Sequence, residues 1–124
     1  MARFIPNAAY DAYFAYFSAC TRLDLVSDST TPTDLTNTLA NVTLNSGDYS
    51  VGAGDNDGRK LTVIDGGKSN IDVTGQNTTR HAVLSLGGTI RLATTCSERA
   101  VDNTAGDKVN LSAFYLNVNG PTAP

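Results

Sequence analysis

The feature that most constrains this chain is its punctuation. From residue 21 onward, short apolar or alternating runs recur at close intervals, each bounded by clusters of Gly, Asn, Asp and Ser. The runs are Leu23–Leu25 within "TRLDLVS", then Leu39 to Leu44, Tyr49 to Val51, Arg59 to Ile64, Ile71 to Thr74, Ala82 to Leu86, Thr89 to Cys96 and Val109 to Val118. Between them stand "SDSTTPTD", "NSGD", "GDNDG", "DGGKSN", "LGGT" and "DNTAGD". Side chains of a strand alternate between faces, and Gly, Asn and Asp supply the backbone angles of tight turns. Many short strands with such spacing predict an all-β sandwich or barrel-like body over residues 21–119, followed by a short tail, 120–124. A chain of 124 residues has room for one hydrophobic core, so a single domain is expected.

The N-terminal stretch breaks the β grammar. Five of the nine aromatic residues fall between Tyr10 and Phe17. Tyr10, Tyr13, Phe14 and Phe17 follow i, i+3, i+4, i+7 spacing, which predicts an amphipathic helix over residues 7–20 with this stripe as a core plug. Asn7 after Pro6 offers an N-cap. Tyr16 lies at the shoulder of the stripe and Phe4 ahead of the helix. Neither fits the plug, so these two are the candidate partner contacts.

Three expectations follow from facing. In "TRLDLVS", Leu23 and Leu25 point one way and Arg22 and Asp24 the other, as in a half-buried strand. In "AVLSLGGTIRLATTC", a three-residue loop Leu86-Gly87-Gly88 sets Leu84 against Ile90 and Ala82 against Leu92, matching apolar with apolar. In "VNLSAFYLNV", Val109, Leu111 and Ala113 hold one phase and Phe114, Leu116 and Val118 the other. A bulge or bend near Ala113-Phe114 restores one face; a strand covered on both sides is the alternative.

Chemistry-bearing residues are sparse. His81 is the single histidine, sits in an apparent strand and has no nucleophile motif near it. Of twelve acidic residues only one is Glu, and nearly all lie in turn-like segments, where Asp serves local hydrogen bonding. "GDNDGRK" begins like a calcium loop at Asp55, but Gly66 stands where a bidentate Glu is required, so a tight turn is expected. Cys20 and Cys96 are far apart in sequence without metal-ligand neighbours, which reads as two buried thiols. No enzyme activity, cofactor or metal is expected. A net charge of −3 with scattered Arg and Lys argues against nucleic acid. Neither a membrane span nor a secretory signal is visible, and synthesis in a host cytoplasm is expected. A surface rich in Thr and Asn suits contacts within an assembly, where short polar side chains lose little entropy.

The order of segments carries a resemblance. "D-x-x-G-R-K-L-T-V" at Asp55 to Val63, "T-T-C" at Thr94-Thr95-Cys96 and a closing strand at Val109 to Val118 recur in that order in small virion-associated proteins of tailed bacteriophages, which this chain resembles over nearly its whole length. The resemblance implies a virion structural protein, and within that set a capsid decoration (cement) protein on the outer head lattice. Its implied partner is the major capsid protein and its implied form a homo-oligomer, a trimer at threefold positions. No catalytic residues come with it. Alternatives are a tail, fibre or receptor- or glycan-binding module, and a tail-tube or connector component. The aromatic content of the helix exceeds what the resemblance leads one to expect.

Overall fold

The computed structural model describes residues 6–54 and 58–118. It is mainly β, with one N-terminal helix and antiparallel sheets in a sandwich-like arrangement. The helix α1 (Asn7–Ser18) leads into β1 (Arg22–Val26), β2 (Thr38–Thr43), β3 (Tyr49–Ala53), β4 (Arg59–Val63) and β5 (Lys68–Asp72). Two long strands follow, β6 (Gln76–Leu86) and β7 (Thr89–Asp102), then β8 (Lys108–Leu111) and β9 (Phe114–Val118). One sheet has the order β2-β1-β6-β7, a second the order β3-β4-β9, and β5 pairs with β8 as a two-stranded ribbon.

Side-chain alternation explains how these sheets share a core. Leu23 and Leu25 of β1 pair with Leu84 and Ala82 of β6, and all four are buried. From the second sheet, Leu61 and Val63 of β4 are fully enclosed. Ile64, Val73, Val101 and Val109 extend the same cluster. Each such aliphatic side chain contributes about 1.5–3 kcal/mol of transfer free energy on burial.

The helix supplies the bulk that the strands lack. Tyr10, Phe14 and Phe17 are buried, and α1 packs against β3, β4 and β7. Tyr13 departs from the expected plug, being half exposed. At about 100° per residue it lies at the margin of the stripe, so it covers Phe17 edge-on at 5.3 Å instead of entering the core. The helix ends at Ser18, two residues before the expected limit, with Ala19 and Cys20 bonding back to Ala15 and Phe17. Asn7 does not cap: Pro6 occupies the N-cap position, no side chain bonds the first turn, and the Pro6 carbonyl accepts from Ala9 N–H.

The β1 strand is buried on both faces, unlike the expected half-buried strand. It is central in its sheet, and the segment 27–37 that leaves it is closed by a bond from Ser27 N–H to the Asn37 carbonyl. Pro32 is buried there, and the Asp28 carbonyl meets His81 Nδ1 at 2.9 Å. Asp24 is therefore enclosed, and it is satisfied by partners: Arg22 grips it through two bonds of 2.7 Å and the Thr38 hydroxyl donates at 2.8 Å. A buried carboxylate without such partners would cost several kcal/mol.

The β6–β7 hairpin corrects the register expectation. Leu86 faces Thr89 and Ser85 faces Ile90, so the loop is Gly87-Gly88 alone, not three residues. Both glycines have positive φ, 58° and 83°, as a tight mirror-image turn requires. Apolar matching is recovered one step later: Arg91 bulges out of the ladder, and Leu84 then meets Leu92. A second bulge places Cys96 to Glu98 opposite Arg80. The bend expected near Ala113-Phe114 is a full change of sheet. Residues 108–111 pair with β5 and 114–118 with β4, while Val109, Leu111, Phe114, Leu116 and Val118 all pack on the core.

Candidate functional site

Two surfaces stand out. The first is the flank of α1. Tyr13 and Tyr16 are about half exposed and lie about 60° apart around the helix. Tyr16 packs edge-on against Phe17 at 5.4 Å, while the guanidinium of Arg91 sits 4.3 Å over its ring. Arg91 also donates to the Tyr16 carbonyl at 2.8 Å, joining β7 to the end of the helix. The Arg91 bulge in β7 thus has a local use, since it brings the side chain onto Tyr16. Near the other end of α1, Asp11 pairs with Arg59 of β4 at 3.3 Å. Tyr16 is held from several sides while its ring remains accessible. Phe4, the other expected contact, lies outside the described residues.

The second surface is a groove of about 520 Å³ on the side where β7 and β9 end their sheets. Leu23, Leu25, Ala82 and Val109 reach its floor, and Thr94, Cys96, Ser112 and Tyr115 are among its walls. Two of the three motif segments noted in the sequence, Thr94-Thr95-Cys96 and the closing strand, thus face one another across it. Arg99 lines the groove, and its guanidinium has no ion-pair partner among the described residues. Tyr115 is exposed, with the Lys60 ammonium 4.5 Å from its ring centre.

His81 is nearly buried and bonded to backbone. Burial raises the Cys20 thiol above its ordinary value, against the opposing charge of Arg91. Burial also raises Cys96, partly offset by the Thr79 hydroxyl. Both cysteines are free thiols, Cys20 buried and Cys96 half-buried, and burial is the larger influence on each. The Tyr49 hydroxyl donates to the Cys20 carbonyl at 2.8 Å, and burial pushes its pKa upward. Among the described residues no three His, Cys, Asp or Glu side chains gather as a metal site, and no helix is long and apolar enough to cross a membrane. Asp55 to Asp57, the start of the calcium-like loop, lie outside the described residues; the flanking β3 and β4 form a hairpin.

Sequence reasoning singled out Tyr16 but missed Tyr13, whose angular offset from Tyr10, Phe14 and Phe17 was the available signal. It also missed the groove, whose lining gathers residues from β1, β6, β7, β8 and the start of β9. No family model, no curated protein and no solved structure matches the chain.

Proposed function

We propose that this protein is a non-enzymatic virion structural protein, a capsid decoration protein that binds the outer surface of a bacteriophage head and stabilises it. Its partner is the major capsid protein, and its working form is a trimer. The observation that carries this reading is the Tyr13–Tyr16 flank of α1. Interfaces draw most of their energy from a few aromatic and Arg residues, and side chains ordered beforehand lose less entropy on docking. Tyr16, clamped by Phe17 and Arg91, meets both conditions. The segment order that resembles phage virion proteins supports the same reading.

The mechanism is mechanical. A protein that binds the assembled lattice and not its separated subunits stabilises that lattice by linkage, in proportion to the logarithm of its concentration over Kd. A trimer converts three modest contacts into one tight attachment, because the second and third form at high effective concentration. The test is addition of purified protein to heads that lack it. Binding that raises the temperature of DNA release, and that Tyr16→Ala weakens, is expected; no binding and no change in head stability rejects the proposal. The exposed Tyr115 beside the groove favours a second reading, a receptor- or glycan-binding module of a tail or fibre. Retention on host surface glycans without attachment to heads would select it.

A further inference from the structure

We infer that the groove between β7 and β9 is a strand-addition site that accepts an extended segment of a partner protein carrying a carboxylate side chain. The inference deepens the proposed function, by naming how a partner is held, and rests on that reading only for the partner's identity.

Three observations converge. First, β7 is the last strand of its sheet, and its residues Thr94 to Ser97 and Arg99 line the groove together with residues 109–113 and the start of β9. An edge strand presents unpaired N–H and C=O groups that an added strand can satisfy. Between its two bulges, β7 pairs in regular register with β6 from Leu92 to Thr95, and Thr94 and Thr95 of this stretch line the groove. The bulge from Cys96 to Glu98 interrupts the ladder beyond it, which limits indiscriminate edge-to-edge association.

Second, the groove suits the two faces of a strand. Its floor is apolar, reaching Leu25, Ile64 and Val109, and its rim carries the hydroxyls of Thr94, Thr95 and Ser112. An inserted segment alternating small apolar and polar side chains would bury one set and hydrate the other. Third, the charge is one-sided. Arg99 is exposed at the groove with no ion-pair partner among the described residues, and no acidic side chain lines it. Elsewhere Arg22, Arg59, Arg80, Lys68 and Lys108 each hold a carboxylate. A carboxylate on the incoming strand would complete at Arg99 the pairing that those residues find within the chain.

Cys96 gives a readout, because it lines the groove while Cys20 is buried and reports unfolding. The probe is a short blocked peptide alternating Val and Thr about one central Glu. It is compared with its Gln counterpart and with a version N-methylated along one edge. Alkylation of Cys96 is followed by mass spectrometry at mildly alkaline pH. The Glu peptide is expected to slow alkylation of Cys96 but not of Cys20, and to bind about tenfold more tightly than the Gln peptide. Arg99→Gln should erase that difference, and N-methylation should abolish protection. Equal protection by the N-methylated peptide, or none by the parent, overturns the inference; so does protection by neutral oligosaccharides in the peptide's place. Ser112→Trp, checked for an unchanged melting temperature, fills the groove. If the wild type binds heads and this variant binds equally well, the inference fails while the proposed function stands. If neither binds heads but the peptide protects Cys96, the proposed function fails and the groove remains a strand site.

Discussion

Where α1 meets the body, the space between sheets is filled by Tyr10, Phe14 and Phe17; between β7 and β9 the walls include Thr94, Ser97, Ser112 and Ala113, and a groove remains. Both places present the same problem, space beside the core that the strands alone leave unfilled. The helix solves it with large side chains brought from a separate element. The opposite solution keeps small hydroxyl side chains and leaves backbone edges available. Stability should therefore concentrate on the helix side and tolerance on the groove side, and substitutions can test that division.

The largest effect is expected from Phe14→Ala. Phe14 has no exposed surface, and truncation leaves a cavity worth about 3–5 kcal/mol, read as a lower midpoint in urea unfolding. If Thr94→Ala, on the groove side, cost as much, the comparison would break. Next comes Gly67→Ala. This glycine has φ of 75°, and a Cβ there would sit 2.8 Å from the Leu111 carbonyl oxygen, a backbone atom that cannot swing aside. A loss of about 2–3 kcal/mol is expected, against about 1 kcal/mol for Gly88→Ala, whose site is open. Thermal melts of the two variants decide whether the β8 border of the groove is as rigid as this contact implies.

A pH effect comes third. Burial opposes ionisation of Asp48, but the Asn45 N–H at 2.8 Å and the Lys68 ammonium at 2.9 Å outweigh it and hold the carboxyl below its ordinary value. A lowered carboxylate contributes stability above its unfolded pKa, about 3.9, and loses it as pH falls through the folded value. Asp48→Asn should flatten the decline in melting temperature below about pH 4 while costing about 1 kcal/mol at neutral pH. The smallest effect is Tyr16→Ala, about 0.5–1 kcal/mol, since its ring is half exposed and the lost contact is chiefly with Arg91. A much larger loss would move Tyr16 from the surface to the structural side of the comparison.

The legible part of this fold was the part set by local pattern. The helix and the places of most strands followed from apolar spacing and turn residues, because such signals act within a few positions. The β5 strand begins at Lys68 inside the expected turn, and β6 and β7 run from Gln76 and to Asp102, beyond their apolar runs. Failures came where a distant segment changed the accounting. Asp24 reads as solvent-facing, yet it is fully buried, and Thr38 from the next strand joins Arg22 in satisfying it. The three-residue loop was inferred from apolar matching, which is a sound rule applied too early. The Arg91 bulge restores the match after a two-residue turn, and no local signal marks Arg91 as the extra residue. The groove was invisible for the same reason, being made by β7, β8 and β9 only after sheet pairing. Of the two surface candidates, Tyr16 was found by exclusion from the apolar stripe, whereas Arg99 carried no local sign of its lack of a partner.

The change of sheet between β8 and β9 has a consequence for how the chain acquires its shape during synthesis. The sheet β2-β1-β6-β7 is complete once Asp102 has been made, whereas β4 lacks its second neighbour until residues 114–118 emerge. A nascent chain therefore passes through an interval in which the first sheet can form while its apolar face, Leu23, Leu25 and Leu84, awaits its cover. The aromatic helix, translated first, packs on β7 of that sheet and on β3 and β4 of the other. Its large side chains are therefore made before either sheet is complete.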